Sequence, residues 1–161
     1  MIATIEQYEQ GYVACSERHI KHSAQEVWAM LTDNAKLDKW FEELRVGELR
    51  EGGFMKFDMS EGKFEELEIL AYAVHAILEF DWFGDRVRFE LQPEQEGCLL
   101  IFKEYFSVIT DQTIKDLAGW HVCLNVIESL LKNEPIHSRV DDWQEWHQQY
   151  EQIMQPLKIT D

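Results

Sequence analysis

The chain has 161 residues and a net charge of −16 at pH 7, from 15 Lys and Arg residues against 31 Asp and Glu residues. Hydrophobic residues make up 45% of it and aromatic residues 12%, which is enough apolar surface for a folded core and excludes an intrinsically disordered chain. The negative charge would repel phosphate backbones and anionic lipid head groups. We therefore expect one folded domain that binds neither nucleic acid nor membranes.

The sequence has no motif for several common kinds of functional site. Cys15, Cys98 and Cys123 are widely spaced, so neither a disulfide framework nor a zinc site is indicated. His19 and His22 form the one close histidine pair, with no further ligand beside them, so no metal is expected. Glycine-rich phosphate loops and dinucleotide fingerprints are missing, so no cofactor is expected. Without a signal peptide or an apolar run of about 20 residues, the expected location is the cytoplasm.

The first half of the chain predicts a strand, two helices and then a series of strands. Residues 12–20 alternate in polarity, which is typical of a strand. The stretch from Ser23 to Glu26 fits a capping box before an apolar helical face at residues 27–31, and a short second helix is predicted around residues 37–41. From about residue 43 the apolar period changes to two, with turns at Gly52-Gly53 and Gly84-Asp85. This pattern favours about six antiparallel strands in meander order.

The last part of the chain predicts two helices. An apolar stripe from Leu117 to Leu131 indicates a long helix over residues 113–132, which Pro135 follows. Strands followed by one long helix are typical of an α+β two-layer domain, which we place at residues 1–136. Residues 137–161 form an extension whose helical face carries four large side chains: Trp143, Trp146, Tyr150 and Met154. We expect this face to pack on its own domain, or else on a second subunit, because it would not remain in water.

The order of elements resembles the helix-grip fold of the START-like (SRPBCC) superfamily, in particular its activator-of-heat-shock-ATPase-like branch. The resemblance spans residues 12–131 and is carried by Val27–Asp33, Trp40-Phe41, Leu49–Gly53, Leu78–Trp82, Val87–Leu91 and Gly119-Trp120. It implies a curved antiparallel β-sheet wrapped around a long C-terminal helix, with a hydrophobic cavity between them.

The resemblance does not settle function, because this fold is found in ligand carriers and in enzymes. The function we expect is a soluble binding protein with a hydrophobic cavity for a small apolar ligand, with no catalysis assumed. The residues expected to line the cavity are Met55, Phe57, Leu78, Phe80, Trp82, Phe89, Leu100, Phe102, Glu104, Trp120, His121 and Leu124. One alternative is a protein-interaction module, such as a chaperone-associated protein of the stress response. The other is a cyclase- or dehydratase-type enzyme with Glu104 and His121 as acid–base groups. The expected partners are a small apolar molecule and a chaperone or other protein, and the chain is expected to be a monomer or a homodimer.

Two polar residues decide between these hypotheses. Glu104 shares a strand face with Leu100 and Phe102, so it either points into the core, where it needs a partner or a proton, or reaches solvent at a bend in the strand. His121 lies at the edge of the apolar stripe of the long helix, where it either lines the cavity or is half exposed, as does Asn125.

Two further patterns predict local structure. Gly119 inside a helix costs about 1 kcal/mol relative to alanine, so we expect a side chain or a ligand to approach closely there. The carboxylates of Glu61, Glu65, Glu66 and Glu68 predict a solvated edge of the sheet, with an acidic docking patch as the alternative.

Overall fold

A computed structural model describes residues 1–158, so the last three residues of the predicted extension lie outside the described residues. The elements, in chain order, are β1 (Thr4–Tyr8), β2 (Gly11–Ile20), α1 (Ala24–Thr32), α2 (Asn34–Leu37), β3 (Leu44–Glu48), β4 (Phe54–Asp58), β5 (Phe64–Ala73), β6 (Ile77–Trp82), β7 (Asp85–Glu94), β8 (Gly97–Phe106), α3 (Asp111–Leu131), α4 (Arg139–Met154) and a 3₁₀ turn (Gln155–Leu157). The predicted α+β class is confirmed. Within residues 1–158, no helix is both long enough and apolar enough to cross a membrane.

The strands form one eight-stranded antiparallel sheet in the order β1-β2-β8-β7-β6-β5-β4-β3. Strand β1 was not predicted, because its sequence has no apolar alternation, and its partner is β2, with Thr4 opposite Cys15. The edges of the sheet are therefore β1 and β3. Glu65, Glu66 and Glu68 are exposed and pair with β4, whereas the pairing of β5 with β6 involves residues 69–73. The acidic edge predicted for these residues therefore stays a prediction.

The chain divides into two compact units, which we describe separately. Unit 2 comprises Glu17–Lys103 and contains α1, α2 and strands β3 to β7. Its first helix begins as predicted: the Ser23 hydroxyl accepts a hydrogen bond from the Glu26 amide at 3.1 Å. Helix α2 is a single turn at Asn34–Leu37, earlier in the chain than the helix predicted around residues 37–41, so Trp40 and Phe41 lie outside it. The indole N–H of Trp40, which follows α2, donates to the Met30 carbonyl at 2.7 Å and so fastens this segment to α1.

The predicted alternation along the strands of unit 2 is largely confirmed, with one exception and one irregularity. Met59 continues the sequence alternation of Met55 and Phe57, but it lies beyond the end of β4 and is 49% exposed. The chain leaves the strand there, since Ser60 and Glu61 both have positive φ angles. A bulge in β5 between residues 69 and 71 shifts the pairing register. Sequence alternation alone therefore does not predict which face of the sheet the last side chains of β5 lie on.

Unit 1 comprises Met1–Ser16 and the chain from Glu104 onward. Thr110 and Thr113 form the capping box that begins α3, and the Ser138 hydroxyl accepts from the Asp141 amide at 3.3 Å where α4 begins. The core of the unit is formed by side chains from β1, β2, β8, α3 and α4: Ala3, Ala14, Phe106, Ile109, Ile114, Leu117, Ala118, Tyr150 and Met154. The prediction that the apolar face of the extension packs on its own chain is confirmed, because Tyr150 and Met154 are part of this core.

Candidate functional site

The residues predicted to line a cavity lie on buried surfaces. In unit 2 they alternate along β4, β6, β7 and β8 on one face of the sheet, which we call the inner face. Seven of them are at most 7% exposed: Met55, Leu78, Phe80, Trp82, Phe89, Leu100 and Phe102. Phe57 on the same face is half-buried. In unit 1 the remaining four, Glu104, Trp120, His121 and Leu124, are buried as well. That these residues together line a ligand cavity stays a prediction.

Four rings of unit 2 form a cluster that reaches solvent, and we call it the aromatic patch: Phe41, Phe57, Trp82 and Phe83. Trp82 lies 5.6 Å from Phe57, 5.0 Å from Phe83 and 6.0 Å from Phe41, measured between ring centroids, in edge-to-face geometry. Phe57 and Phe41 are half-buried and Phe83 is 49% exposed. Such arrangements of rings are favourable beyond the area they bury. The patch therefore combines a firmly packed base with an apolar surface that solvent reaches.

The backbone at Phe83 adopts a conformation that is unusual for its residue type. Phe83 and Gly84 are the two central residues of the β6–β7 hairpin, and their φ angles are +53° and +97°. Two-residue hairpin turns with both φ angles positive strongly favour Asn-Gly, because a bulky side chain is strained at positive φ. The Asp81 carboxylate supports the turn by accepting from the Gly84 amide at 3.3 Å. The hairpin thus holds an exposed aromatic ring where asparagine or glycine would be less strained.

Carboxylates predominate in the chain around the aromatic patch. Five lie within two residues of its members: Glu42, Glu43, Asp58, Asp81 and Asp85. Of the cations in the same stretches, the Lys56 ammonium lies over the Phe54 and Phe64 rings, at 5.9 and 5.8 Å, and Arg86 is 3.9 Å from Glu79. Lys39, two residues before Phe41, is the remaining one, so the carboxylates outnumber the cations. The surroundings of the patch are therefore unfavourable for an anionic molecule.

Glu104 lies in the interior of the protein. Its side chain is 0% exposed, on the face of β8 that also carries Leu100 and Phe102. The alternative in which β8 bends and Glu104 reaches solvent is therefore wrong: β8 continues without interruption to Phe106. A fully buried carboxylate is compatible with the alternative hypothesis of a cyclase- or dehydratase-type enzyme, but burial alone does not make a group catalytic.

His121 is also buried, at 2% exposure, so the alternative of a half-exposed residue is wrong. Its Nδ1 is hydrogen-bonded to the Tyr150 hydroxyl at 2.8 Å, and its ring stacks on Trp146 at 3.7 Å. Helix α4 supplies both partners. The sequence indicated both sides of this contact separately: a polar residue at the edge of the α3 stripe, and an aromatic helical face in the extension. It did not indicate that the two would contact each other. Because Tyr150 occupies Nδ1, an acid–base role for His121 would have to use its other ring nitrogen.

Asn125 and Gly119, which were considered with His121, lie at two surface depressions of unit 1. Asn125 is half-buried and contributes to a depression of about 210 Å³ near the end of α3, together with Lys132 and Asp142. A Cβ atom added at Gly119 would meet the indole nitrogen of Trp143 at 4.0 Å, which is an ordinary contact distance. The expected close approach of a side chain at Gly119 is therefore wrong.

The histidine pair and the buried thiol have local explanations. His19 is 3.0 Å from Glu94 and His22 is 3.0 Å from Glu26, so each ring pairs with its own carboxylate. The side-chain hydrogen bond to Glu94 raises the pKa of His19, and that to His22 lowers the pKa of Glu26. In the part of the chain that the structure describes, no three His, Cys, Asp or Glu side chains are placed to hold a metal ion. Burial raises the pKa of the Cys98 thiol, which keeps it protonated and a poor nucleophile.

Solved structures similar to this chain share its architecture. A conserved protein of unknown function from Enterococcus faecalis, EF2215, is 28% identical, with a TM-score of 0.83 over 98% of this chain and 92% of that one. CalU16 from Micromonospora echinospora is 20% identical, with a TM-score of 0.71 over 94% and 97% of the two chains. The Aha1 dimer from Colwellia psychrerythraea is 18% identical, with a TM-score of 0.63 over 74% and 95%. These similarities confirm the predicted helix-grip fold.

The sequence itself matches one protein family. Among curated proteins no match is found. The family model for Activator of Hsp90 ATPase homolog 1-like proteins matches residues 21–132, which run from the chain before α1 to the end of α3. This match confirms the resemblance inferred from the residues, and it ends before α4. The chain belongs to the Activator of Hsp90 ATPase homolog 1-like family.

Proposed function

We propose that this chain is a binding protein for a small apolar ligand, which contacts inner-face residues of unit 2 and touches the aromatic patch where the patch meets solvent. The family supports a binding or interaction module without specifying a ligand. Ligand sites in proteins are mostly apolar and aromatic, with few polar groups. No chemical step is assigned to the chain, and its role would be to carry or sequester the ligand.

The observation that carries this proposal is the aromatic patch. Trp82 is 7% exposed and forms its base, whereas Phe83 is 49% exposed. A ligand that covers the exposed part of Phe83 would gain the free energy of burying apolar surface, roughly 25 cal/mol per Å². The packed rings beneath are already ordered, so little conformational entropy would be lost on binding.

The strained backbone at Phe83 supports the same reading. A non-glycine residue held at positive φ costs of the order of 1 kcal/mol, and such residues cluster at binding and active sites. The φ angle of +53° at Phe83 is combined with a bulky side chain that is 49% exposed. Asparagine would be less strained at this φ angle, and we infer that a bound ligand, besides the contacts of the ring with Phe57 and Trp82, compensates the strain.

A matched pair of variants tests the proposal. Phe83→Asn removes the exposed ring of the patch and suits the positive φ angle, while Phe64→Asn removes a ring with nearly the same exposure, 48% against 49%, from the start of β5. The probe is N-phenyl-1-naphthylamine, a neutral dye whose fluorescence rises in apolar surroundings. We expect saturable binding to the native chain, about fivefold weaker binding to Phe83→Asn, and unchanged binding to Phe64→Asn.

Equal affinities in all three proteins, or no saturable binding to the native chain, would contradict a ligand site at the patch. Thermal unfolding of both variants provides the control for folding. Phe83→Asn relieves the backbone strain but loses the ring contacts with Phe57 and Trp82, so we expect its stability to lie within about 1 kcal/mol of the native chain. Weaker dye binding by a variant that is still folded is then an effect on the patch.

A protein partner is the second candidate, because exposed aromatic side chains are also enriched at the centres of protein interfaces. The related Aha1 structure from Colwellia psychrerythraea is described as a dimer. In this case the patch would be covered by another protein surface, including that of a second copy. Light scattering separates the two candidates: a protein interface predicts association of the native chain that Phe83→Asn abolishes, without saturable dye binding.

A further inference from the structure

We propose that the free edge of strand β1 binds an extended segment of another protein that carries a lysine or an arginine. The segment adds to the sheet as a further strand, with its backbone hydrogen-bonded to that of β1. This edge lies in unit 1 and shares no residue with the aromatic patch. Strands β1 and β3 are the two edges of the sheet, and their backbone groups are in different states.

The edge of β3 is closed by the chain itself. The Val46 N–H donates to Oδ1 of Asn34 at 2.8 Å, and the Val46 carbonyl accepts from Nδ2 of Asn34 at 3.3 Å. The Leu44 N–H donates to the Phe41 carbonyl at 3.1 Å. The side-chain amide of Asn34 thus takes the place that another strand would occupy at Val46. Strand β3 therefore offers few free groups to a second chain.

The edge of β1 has open backbone groups. Tyr8 and Gly11 flank the two-residue turn of the β1–β2 hairpin and form a hydrogen-bonded pair, and such pairs alternate along an antiparallel ladder. The N–H and C=O groups of Ile5 and Gln7 therefore point away from β2. Within residues 1–158 these four groups have no hydrogen-bond partner. A strand that lies beside β1 satisfies them, which is how exposed sheet edges recruit other chains.

Contacts on both faces of β1 hold the strand in position. Ile5 packs against the core of unit 1, and Tyr8 on the other face meets the Tyr105 ring edge to face, with the ring centroids 6.0 Å apart. Just before the strand, the Ala3 N–H donates to the Tyr150 hydroxyl at 3.1 Å. The open edge is therefore ordered before a partner binds, which lowers the entropic cost of binding.

The charge of Glu6 determines which strand fits. Glu6 is exposed in the middle of β1, and because Ile5 faces the core, Glu6 lies on the opposite face of the strand. Residues directly opposite each other in an antiparallel pair have Cβ atoms about 4.5–5.5 Å apart, so a lysine or arginine opposite Glu6 forms a cross-strand ion pair. Residues 1–17 hold three glutamates and neither lysine nor arginine, so no cation of this segment neutralises Glu6.

The same charge disfavours a second copy of this chain as the occupant. Two β1 edges that pair antiparallel with Ile5 opposite Gln7 bring Glu6 directly opposite its counterpart, and like charges in that position are destabilising. Each copy also carries a net charge of −16. A basic segment of a different protein meets neither repulsion. The pattern that fits is a basic residue opposite Glu6, followed by an apolar residue opposite Ile5.

Two peptides with blocked ends that differ in one residue test the proposal: Thr-Thr-Lys-Val-Thr and Thr-Thr-Gln-Val-Thr. Binding is followed in ¹H–¹⁵N correlation spectra of the full chain. The lysine peptide should shift the amide signals of Ile5 and Gln7 and slow their hydrogen exchange, because both N–H groups gain an acceptor. It should bind about threefold more tightly than the glutamine peptide. The amide of Val46, on the closed edge, should not move.

Two substitutions in β1 separate the backbone contribution from the charge. Gln7→Pro removes an open N–H group and leaves the ladder with β2 intact, since proline is tolerated on an edge strand where its nitrogen faces solvent. It should abolish the Ile5 shift with both peptides, whereas Gln7→Thr, which keeps the N–H, should bind them as the native chain does. Glu6→Gln should remove the preference for the lysine peptide.

Phe83→Asn should leave the binding of both peptides unchanged, which separates this edge from the aromatic patch. The proposal is wrong if the lysine peptide leaves the amides of Ile5 and Gln7 unmoved at millimolar concentration, or if its preference survives in Glu6→Gln. It is also wrong if light scattering shows a dimer of the native chain that Gln7→Pro dissociates, because a second copy would then occupy the edge.

Discussion

The hydroxyl group of Tyr150 connects helix α4 to two other parts of unit 1 through hydrogen bonds. It lies 2.8 Å from Nδ1 of His121 on α3, and it accepts the backbone N–H of Ala3, beside β1, at 3.1 Å. All three residues are buried. One phenol thus satisfies two interior polar groups from distant parts of the sequence, and it fixes the rotation of α4 on α3.

Tyr150→Phe should destabilise the protein by about 1–3 kcal/mol. The ring would still fill the core, but the Ala3 amide and His121 Nδ1 would lose the partner that the hydroxyl supplies, and an unsatisfied buried group costs about that much. Urea unfolding measures the loss. Tyr12→Phe is the matched control, because its ring stacks on Phe106 in the same unit and should change the free energy of unfolding by less than about 0.5 kcal/mol. Equal effects of the two substitutions would show that the phenol of Tyr150 contributes no more than a surface hydroxyl.

Met154→Ala tests the contribution of the apolar face of α4. Met154 is 0% exposed and belongs to the core of unit 1, whereas its neighbour Ile153 is 40% exposed. Truncating a fully buried methionine typically costs about 2–5 kcal/mol. We expect a loss in that range for Met154→Ala and less than about 1 kcal/mol for Ile153→Ala, both measured by urea unfolding at equal protein concentration. If the two variants were equally stable, α4 would not be part of the core.

Local sequence signals were sufficient to predict most of the fold. The capping box at Ser23, the apolar stripe of α3 and the period of two along β6 to β8 each act over a few residues, so they can be read without knowledge of distant contacts. Strand β1 and the bulge in β5 could not be predicted in this way. Strand β1 is specified by its pairing with β2, and a bulge depends on the partner strand.

Less of the candidate site could be predicted from the sequence, because the site depends on contacts between residues that are far apart in the chain. The inner-face residues followed from alternation, but Phe41 and Phe83 of the aromatic patch lie outside regular strands. The one signal for Phe83 was its place before Gly84 in a two-residue turn, where asparagine is usual. His121 was identified as a candidate from its position on α3, but its partner Tyr150 is 29 residues away. No periodicity relates residues at that separation.

Gly119→Ala should stabilise the chain by up to about 1 kcal/mol, since alanine is the better helix former and the new methyl group meets no atom closer than 4.0 Å. The measurement is the midpoint of thermal unfolding. Gly53→Ala is the control of opposite sign, because its Cβ would lie 2.1 Å from the Glu48 carbonyl oxygen. A decrease in stability for Gly119→Ala would mean that the helix at Gly119 has less room than the structure shows.

The pair formed by His19 and Glu94 should give a pH-dependent contribution to stability. The hydrogen bond to Glu94, and then the negative charge of that carboxylate, raise the pKa of His19 above its ordinary 6.5. A raised pKa in the folded state means that the contribution is fully present below pH 6.5 and is lost as the pH rises through the raised value. It should be small, because the His19 side chain is exposed.

An NMR titration of the His19 ring protons measures this pKa directly. Glu94→Gln should lower it towards 6.5, whereas Glu26→Gln, which removes the partner of His22 instead, should leave it unchanged. An unchanged pKa of His19 in Glu94→Gln would show that the two side chains are not paired in solution.

The aromatic patch should discriminate between ligands by charge, and two dyes with the same ring system make the comparison. N-phenyl-1-naphthylamine is neutral, and 1-anilinonaphthalene-8-sulfonate adds one negative charge. The five carboxylates near the patch and the net charge of −16 disfavour the anion, so the neutral dye should bind more tightly at low salt. The difference should decrease as salt is raised to about 1 M, where the Debye length is only about 3 Å. The comparison uses the part of the binding that Phe83→Asn removes, so that dye bound elsewhere on the protein does not contribute. If that part favoured the sulfonate at low salt, the acidic surroundings of the patch would not control its ligand, and a basic group of the protein would have to face the bound dye.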